Sequence, residues 1–148
     1  PDLSTYEVSF PPFVDINVIP ILTATRENSD LHRNKTGRNA LVKKDWTIIG
    51  SSYGGAMGGV FTCKHPDQVR KLILLAPALM LPEFTSEKFS KIDVPTVLIH
   101  GTEDDVVIPE PVRIIAEDIF TNLKYISVED GHRLHKVFEE LDWKEILA

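Results

Sequence analysis

Cysteine is almost missing from this chain. Cys63 stands alone, so no internal disulfide can form. That scarcity suits a reducing compartment. The opening Pro1-Asp2-Leu3-Ser4 has neither the basic nor the apolar region of a secretion signal, so a cytoplasmic location is expected. No apolar run approaches the roughly 20 residues that cross a bilayer; the longest spans 72–81. Repeats, low-complexity segments and tails of like charge are also lacking. Basic residues are outnumbered, 16 against 22, for a formal charge of −6. This argues against a nucleic-acid or anionic-membrane partner. Ligand clusters are absent too. His132-Arg133-Leu134-His135 is not a usual metal spacing on one helical face, and no cysteine–histidine cluster exists. No metal and no cofactor are therefore expected.

What is present suits one domain over 1–148, with 43 % apolar and 26 % charged residues. From residue 46 onward strand and helix signals alternate. Short apolar runs at 46–49, 71–75, 95–100 and 124–128 read as strands. Between them, Ala56, Met57, Val60 and Phe61 recur at helical spacing until His65-Pro66. Val112, Ile115, Ala116 and Ile119 form a second helical face after Pro109 and Pro111. Leu134, Val137, Phe138, Leu141 and Ile146 predict a last amphipathic helix. Apolar strands alternating with helices mean an α/β fold, a mostly parallel sheet with helices on both faces. Such sheets gather reactive groups at the carboxyl ends of their strands. Before residue 46, segments 6–10 and 16–22 look like strands, too closely joined for a parallel crossover. They form a hairpin, or one of them is not a strand. A helix is expected within 27–44.

Gly50-Ser51-Ser52-Tyr53-Gly54 fits G-x-S-x-G with a strand before it and a helix after it, the setting that motif requires. Glycine at 50 and 54 removes side chains that would collide across so sharp a turn. Gly55 and Gly58 let the following helix approach its neighbours. Ser52 is then held clear of the sheet at a helix N-terminus, where a developing anion is favoured. The Tyr53 N–H is the expected oxyanion donor. Ser51 would need glycine at 49 and 53, where Ile49 and Tyr53 stand. The competing reading is a glycine-rich turn with incidental serines.

Glu103, Asp104 and Asp105 follow the strand at 95–100, and His132 follows the next strand, preceded by Gly131 for backbone freedom. Alone, these are a solvated acidic turn and a surface histidine. The order Ser, Asp, His, each at a strand's carboxyl end, is far more specific. A serine hydroxyl is a poor nucleophile at neutral pH. An imidazole can take its proton, and a carboxylate can fix that imidazole's tautomer.

Taken together, Gly50-Ser51-Ser52-Tyr53-Gly54-Gly55, Pro66-Asp67-Gln68-Val69-Arg70-Lys71-Leu72-Ile73-Leu74-Leu75-Ala76-Pro77-Ala78, Pro95-Thr96-Val97-Leu98-Ile99-His100-Gly101-Thr102-Glu103-Asp104 and Glu129-Asp130-Gly131-His132-Arg133-Leu134 resemble the α/β-hydrolase superfamily, most closely its small, capless esterase-like members. The resemblance covers about residues 46–148. It implies an α/β-hydrolase fold with Ser52 as nucleophile, Asp104 as acid and His132 as base. In that family an upstream strand usually ends in a His-Gly-like loop that gives a second oxyanion donor. No such loop precedes residue 46, and at least one strand–helix unit is missing. Either the front end is shortened or residues 23–26 supply the donor.

The function expected is hydrolysis of a carboxylic ester or thioester, with a small-molecule ester-like substrate as the partner. A non-catalytic ligand-binding or scaffold protein and an acyltransferase with the same triad are the alternatives; oligomeric state is left open. His100 and Cys63 are read as structural, Trp46 and Trp143 as packing. The segment 77–93 is too short for a separate lid, and its Leu79, Met80, Leu81 and Phe84 are expected to wall Ser52.

Overall fold

A computed structural model describes residues 6–7, 22–26, 46–82, 84 and 89–148, the first two segments as backbone only. The strands are β1 (Tyr6–Glu7), β2 (Leu22–Arg26), β3 (Trp46–Ser51), β4 (Val69–Leu75), β5 (Thr96–Gly101) and β6 (Leu123–Val128). They lie side by side in that order in one sheet. β3 to β6 run parallel, whereas β1, β2 and β3 pair antiparallel. The helices are α1 (Tyr53–Lys64), α2 (Pro109–Ile119) and α3 (Trp143–Leu147). No described helix is long and apolar enough to cross a membrane.

The central strands are apolar on both faces because both faces are covered. Ile48, Leu72, Leu74 and Leu98 turn to one side, where Ala56 of α1 and Val112, Ala116 and Ile119 of α2 close the main core. Their chain neighbours Ile73, Leu75, Val97 and Ile99 turn to the other side, where Leu134 and Ile146 cover them. This alternation is the period-two geometry of a strand.

α1 follows its sequence reading in part, with Ala56 buried and Met57 and Val60 packed against the main core. Its buried face is Gly54, Gly55, Ala56, Gly58, Gly59 and Thr62, while Met57 and Val60 are half-buried and Phe61 is exposed against the His65 ring. Four glycines weaken a helix. Here they bring its axis close to its neighbours: a Cβ on Gly55 would lie 2.8 Å from Pro77 Cβ, and one on Gly59 2.6 Å from Phe84 Cζ. The predicted last helix is also shorter than expected. Only Trp143–Leu147 is α-helical, capped by Asp142 through the Lys144 and Glu145 N–H groups at 3.1 Å each. Before it, Leu134 is left-handed (φ 53°), and the Asp130 carboxylate captures the Lys136 and Val137 N–H groups. The chain there turns irregularly while still delivering Leu134, Val137 and Leu141 to the second core.

At the front end, β1 and β2 are antiparallel, with Tyr6 opposite Thr25. Of the predicted strand at 16–22 only Leu22 is described; the rest, and the helix expected within 27–44, lie outside the described residues. Residues 23–26 belong to β2 and are not a loop. Since β2 opposes β3 antiparallel, Leu22 lies across from Gly50 and Arg26 across from Trp46. Residues 23–26 therefore run away from the serine end of β3, and the expectation that they supply an oxyanion donor is not met.

Candidate active site

The carboxyl ends of β3, β5 and β6 reach the same edge of the sheet. Ser51 pairs with Leu75, Leu75 with Ile99, and Gly101 with Val128. Ser52, Asp104 and His132 each follow within a few residues, so the topology alone converges them.

Ser52 turns β3 into α1 with φ 52° and ψ −121°, a conformation that non-glycine residues rarely take. Such a backbone costs of order 1–3 kcal/mol and persists only where surroundings enforce it. They do so here. Ser52 N–H donates to Leu75 O at 2.9 Å, and Ser52 O accepts from Ala78 N–H at 2.9 Å and Ala56 N–H at 3.2 Å. A Cβ at Gly50 would lie 2.5 Å from Gly54 O, which excludes any other residue from the turn. A serine preceding a helix commonly caps it with its hydroxyl. Ser52 makes no such cap; its Oγ lies 3.0 Å from His132 Nε2.

His132 Nδ1 lies 2.8 Å from Asp104 Oδ2. A carboxylate can only accept, so Nδ1 carries the proton and the Nε2 lone pair faces the Ser52 hydroxyl. Asp104 is buried, and its Oδ1 accepts from the N–H groups of Val106 (3.0 Å) and Val107 (2.8 Å). Burial pushes its carboxyl up, but the His132 hydrogen bond, the Val107 and Val106 N–H groups and the His132 charge outweigh that and hold it below its ordinary value. Glu103 and Asp105 are exposed, and Glu103 pairs with Lys136 at 3.8 Å. His135 is exposed as well. The structure thus brings together the three residues singled out in the sequence and leaves their competitors outside. Tyr53 opens α1, where the first N–H groups lack intrahelical partners; its ring is exposed.

Three supports escaped the sequence reading. Ala76 is left-handed (φ 43°) and bends the chain so that Pro77 meets Gly55 and Ala78 reaches Ser52. Alanine carries no signal for that conformation. Gly101 is the second: a Cβ there would strike Asp130 O, and Glu103 N–H donates to the same oxygen at 3.1 Å. The acid and base loops are thereby joined. The third is Asp130, whose carboxylate accepts from Gly131, Lys136 and Val137 N–H groups. Gly131 itself faces open space and is not left-handed, so the backbone freedom expected of it is not used; the left-handed residue of this loop is Leu134.

Although burial pushes the Asp130 carboxyl up, those three N–H donors and the Lys136 charge draw it below its ordinary value. A depressed carboxyl adds stability above its unfolded pKa and loses it as pH falls through the folded one. Asp130→Asn is therefore expected to lower the denaturation midpoint at neutral pH. The difference should shrink below the ordinary carboxylate range, as urea melts at several pH values would test. A constant difference would mean that the charge is not what the donors hold.

The apolar wall expected over Ser52 is not formed as read. Leu79 and Phe84 are buried in the main core. Met80, Leu81, Pro82 and Phe84 line a cavity of about 630 Å³ whose other walls are α2 residues, among them Ile114 and Ile115. Cys63 packs half-buried against the same core, and burial pushes its thiol up to about 11. This makes it a poor nucleophile.

Comparison with known proteins agrees with this architecture. A family model for the alpha/beta hydrolase fold matches residues 28–92. The human serine hydrolase-like protein is 48 % identical over 44 residues, 30 % of this chain and 22 % of that protein. Human serine hydrolase-like protein 2 has the same identity and span, 14 % of its own length. The chain thus spans less than a quarter of these relatives. Among solved structures, one described as a predicted CIB-like hydrolase from Thermoplasma acidophilum superposes with a TM-score of 0.52 at 30 % identity, over 61 % of this chain and 42 % of that one. An alpha-beta serine hydrolase homologue from Coxiella burnetii gives the same TM-score and coverage at 21 % identity, a likeness of fold alone. This chain is an α/β-hydrolase-fold protein.

Proposed function

We propose that the chain is a serine hydrolase cleaving a carboxylic ester or thioester of a small or medium acyl group through an acyl-serine intermediate. One observation carries the reading: a single imidazole bridges Ser52 Oγ at 3.0 Å and a buried carboxylate at 2.8 Å. In this mechanism Ser52 Oγ attacks the acyl carbonyl while His132 Nε2 takes its proton. The Tyr53 N–H donates to the oxyanion. Collapse expels the alcohol or thiol, which receives the proton from His132. Water, deprotonated by His132, then attacks the acyl-serine, releasing the acid and free Ser52. Asp104 stays ionised and steadies the imidazolium. A fluorophosphonate probe tests the reading: it should label Ser52 and no other residue. Labelling at Ser51, or none, would sink it.

A second reading, a protein that keeps the fold with little turnover, draws on one observation. β2, one of the two strands beside β3, is antiparallel to it, so its residues 23–26 run away from Ser52 and bring it no second oxyanion donor. Losing one donor costs about 2.7–4 kcal/mol of transition-state stabilisation. Measurable turnover of p-nitrophenyl esters separates the two readings.

Asp104→Asn keeps the acid loop's hydrogen bonds to Val106 and Val107 but can present an N–H to His132 Nδ1, favouring the wrong tautomer. A fall in kcat of as much as roughly 10⁴ is expected, with the fold intact by circular dichroism. Asp105→Asn should leave kcat unchanged. The reverse pattern would move the acid by one residue.

A further inference from the structure

The strand that leads to the acid holds, next to its last residue, a histidine that the mechanism above does not use. The side chain of His100 is fully buried. Its Nε2 lies 3.1 Å from Asp104 Oδ2 and 2.9 Å from Val107 O. Both neighbours are acceptors, so Nε2 carries the proton and shares it between them. The other ring nitrogen, Nδ1, is buried with no partner among the described residues. Burying a polar atom without a partner is unfavourable. The three β5 residues before it, Val97, Leu98 and Ile99, are aliphatic, and an aliphatic residue at 100 would avoid that cost. What the imidazole adds is a donor aimed at the acid.

We propose that His100 is a positioning residue that locks the Asp104 carboxylate in the orientation His132 needs. This rests on the triad reading above. Among the described residues the carboxylate receives four donors, two on each oxygen: Val106 and Val107 N–H on Oδ1, His132 Nδ1–H and His100 Nε2–H on Oδ2. The donors on Oδ1 come from the acid's own loop. His132 is the group to be positioned and moves charge during the reaction. Among the described residues His100 is the donor that ties Oδ2 to the sheet, where it stands opposite Ser127 of β6, the strand that leads to His132. Through Val107 O it also closes the acid loop on itself. With His100 in place the carboxylate cannot rotate about its Cβ–Cγ bond without breaking a bond anchored in the sheet.

The test uses the full chain with His100→Leu, which removes the donor, and His100→Gln, whose amide N–H can reach the same oxygen. Three quantities are read: fluorophosphonate labelling rate at Ser52, kcat and KM on a p-nitrophenyl ester, and the low-field proton resonance of His132 Nδ1–H. His100→Leu should slow labelling and lower kcat on the order of 10- to 100-fold, the scale of a misplaced catalytic group, with KM little changed. It should also displace the resonance. His100→Gln should restore most of the rate and the resonance position. Should the leucine variant fail to fold, His100→Asn, one carbon too short to reach Oδ2, takes its place against glutamine. A folded His100→Leu with the unsubstituted kcat and resonance overturns the positioning role, as does a glutamine variant as impaired as leucine. If the unsubstituted chain labels at Ser52 and His100→Leu labels as fast, only this role falls. If the unsubstituted chain does not label, the hydrolase reading falls first and takes this role with it.

Discussion

Ser52→Ala is expected to abolish ester hydrolysis, with kcat falling by up to about 10⁶, as when the nucleophile is removed from other triads. The size of the effect follows from the site. Without Oγ there is no acyl-enzyme, and His132 Nε2 loses the hydroxyl it faces at 3.0 Å. What survives is background hydrolysis beside the Tyr53 N–H. The variant should fold, because the backbone bonds from Ser52 to Leu75, Ala56 and Ala78 do not involve the side chain. Alanine inherits the positive-φ backbone at this position, which the same three backbone bonds still hold. Ser51→Ala is the control. Ser51 ends β3, and its removal should leave kcat nearly unchanged. Equal losses in both variants would point to a disturbed turn, and unchanged turnover in Ser52→Ala would overturn the assignment.

The parallel half of the sheet and the three residues that meet at His132 are legible in the sequence for one physical reason. β4 and β5 are apolar on both faces because both faces are covered, and a continuous apolar run is visible without a structure. Glycine at 50 and 54 was equally readable, since only a tight turn demands it. The supports of the site were harder to see. Ala76 and Leu134 take left-handed backbones that their residue types do not announce. Asp130 carries no signal of its own in the sequence, yet its oxygens organise the segment that follows His132. The last helix was misjudged because Leu134, Val137 and Leu141 reach the core at helical spacing from a chain that is not helical. Periodicity reports which side chains are buried; here the Asp130 carboxylate, competing for N–H groups, decided the backbone. The face of α1 is legible only in part, with Ala56, Met57 and Val60 against the core but its glycines unseen. Its buried stripe is glycine, which hydrophobic patterning does not register.

His132→Ala should cost about as much as Ser52→Ala, up to roughly 10⁶ in kcat, because nucleophile and base act as one unit and either loss disables both. The double variant should therefore be no slower than either single one. His135→Ala should leave kcat nearly intact: its side chain is exposed, whereas His132 spans Ser52 and Asp104. The pH dependence distinguishes a base from a merely structural histidine. Proton abstraction needs a neutral base, so kcat/KM should show an acid limb, low at acid pH and higher above it. Asp104 does not blur that limb, since its carboxyl is held below its ordinary value and stays ionised throughout. One acid limb, fitted by one titrating group, is thus expected in the unsubstituted chain and in His135→Ala. In His132→Ala the residual rate should lose that limb. A limb that survives in His132→Ala and vanishes in His135→Ala would transfer the role of base to the second histidine.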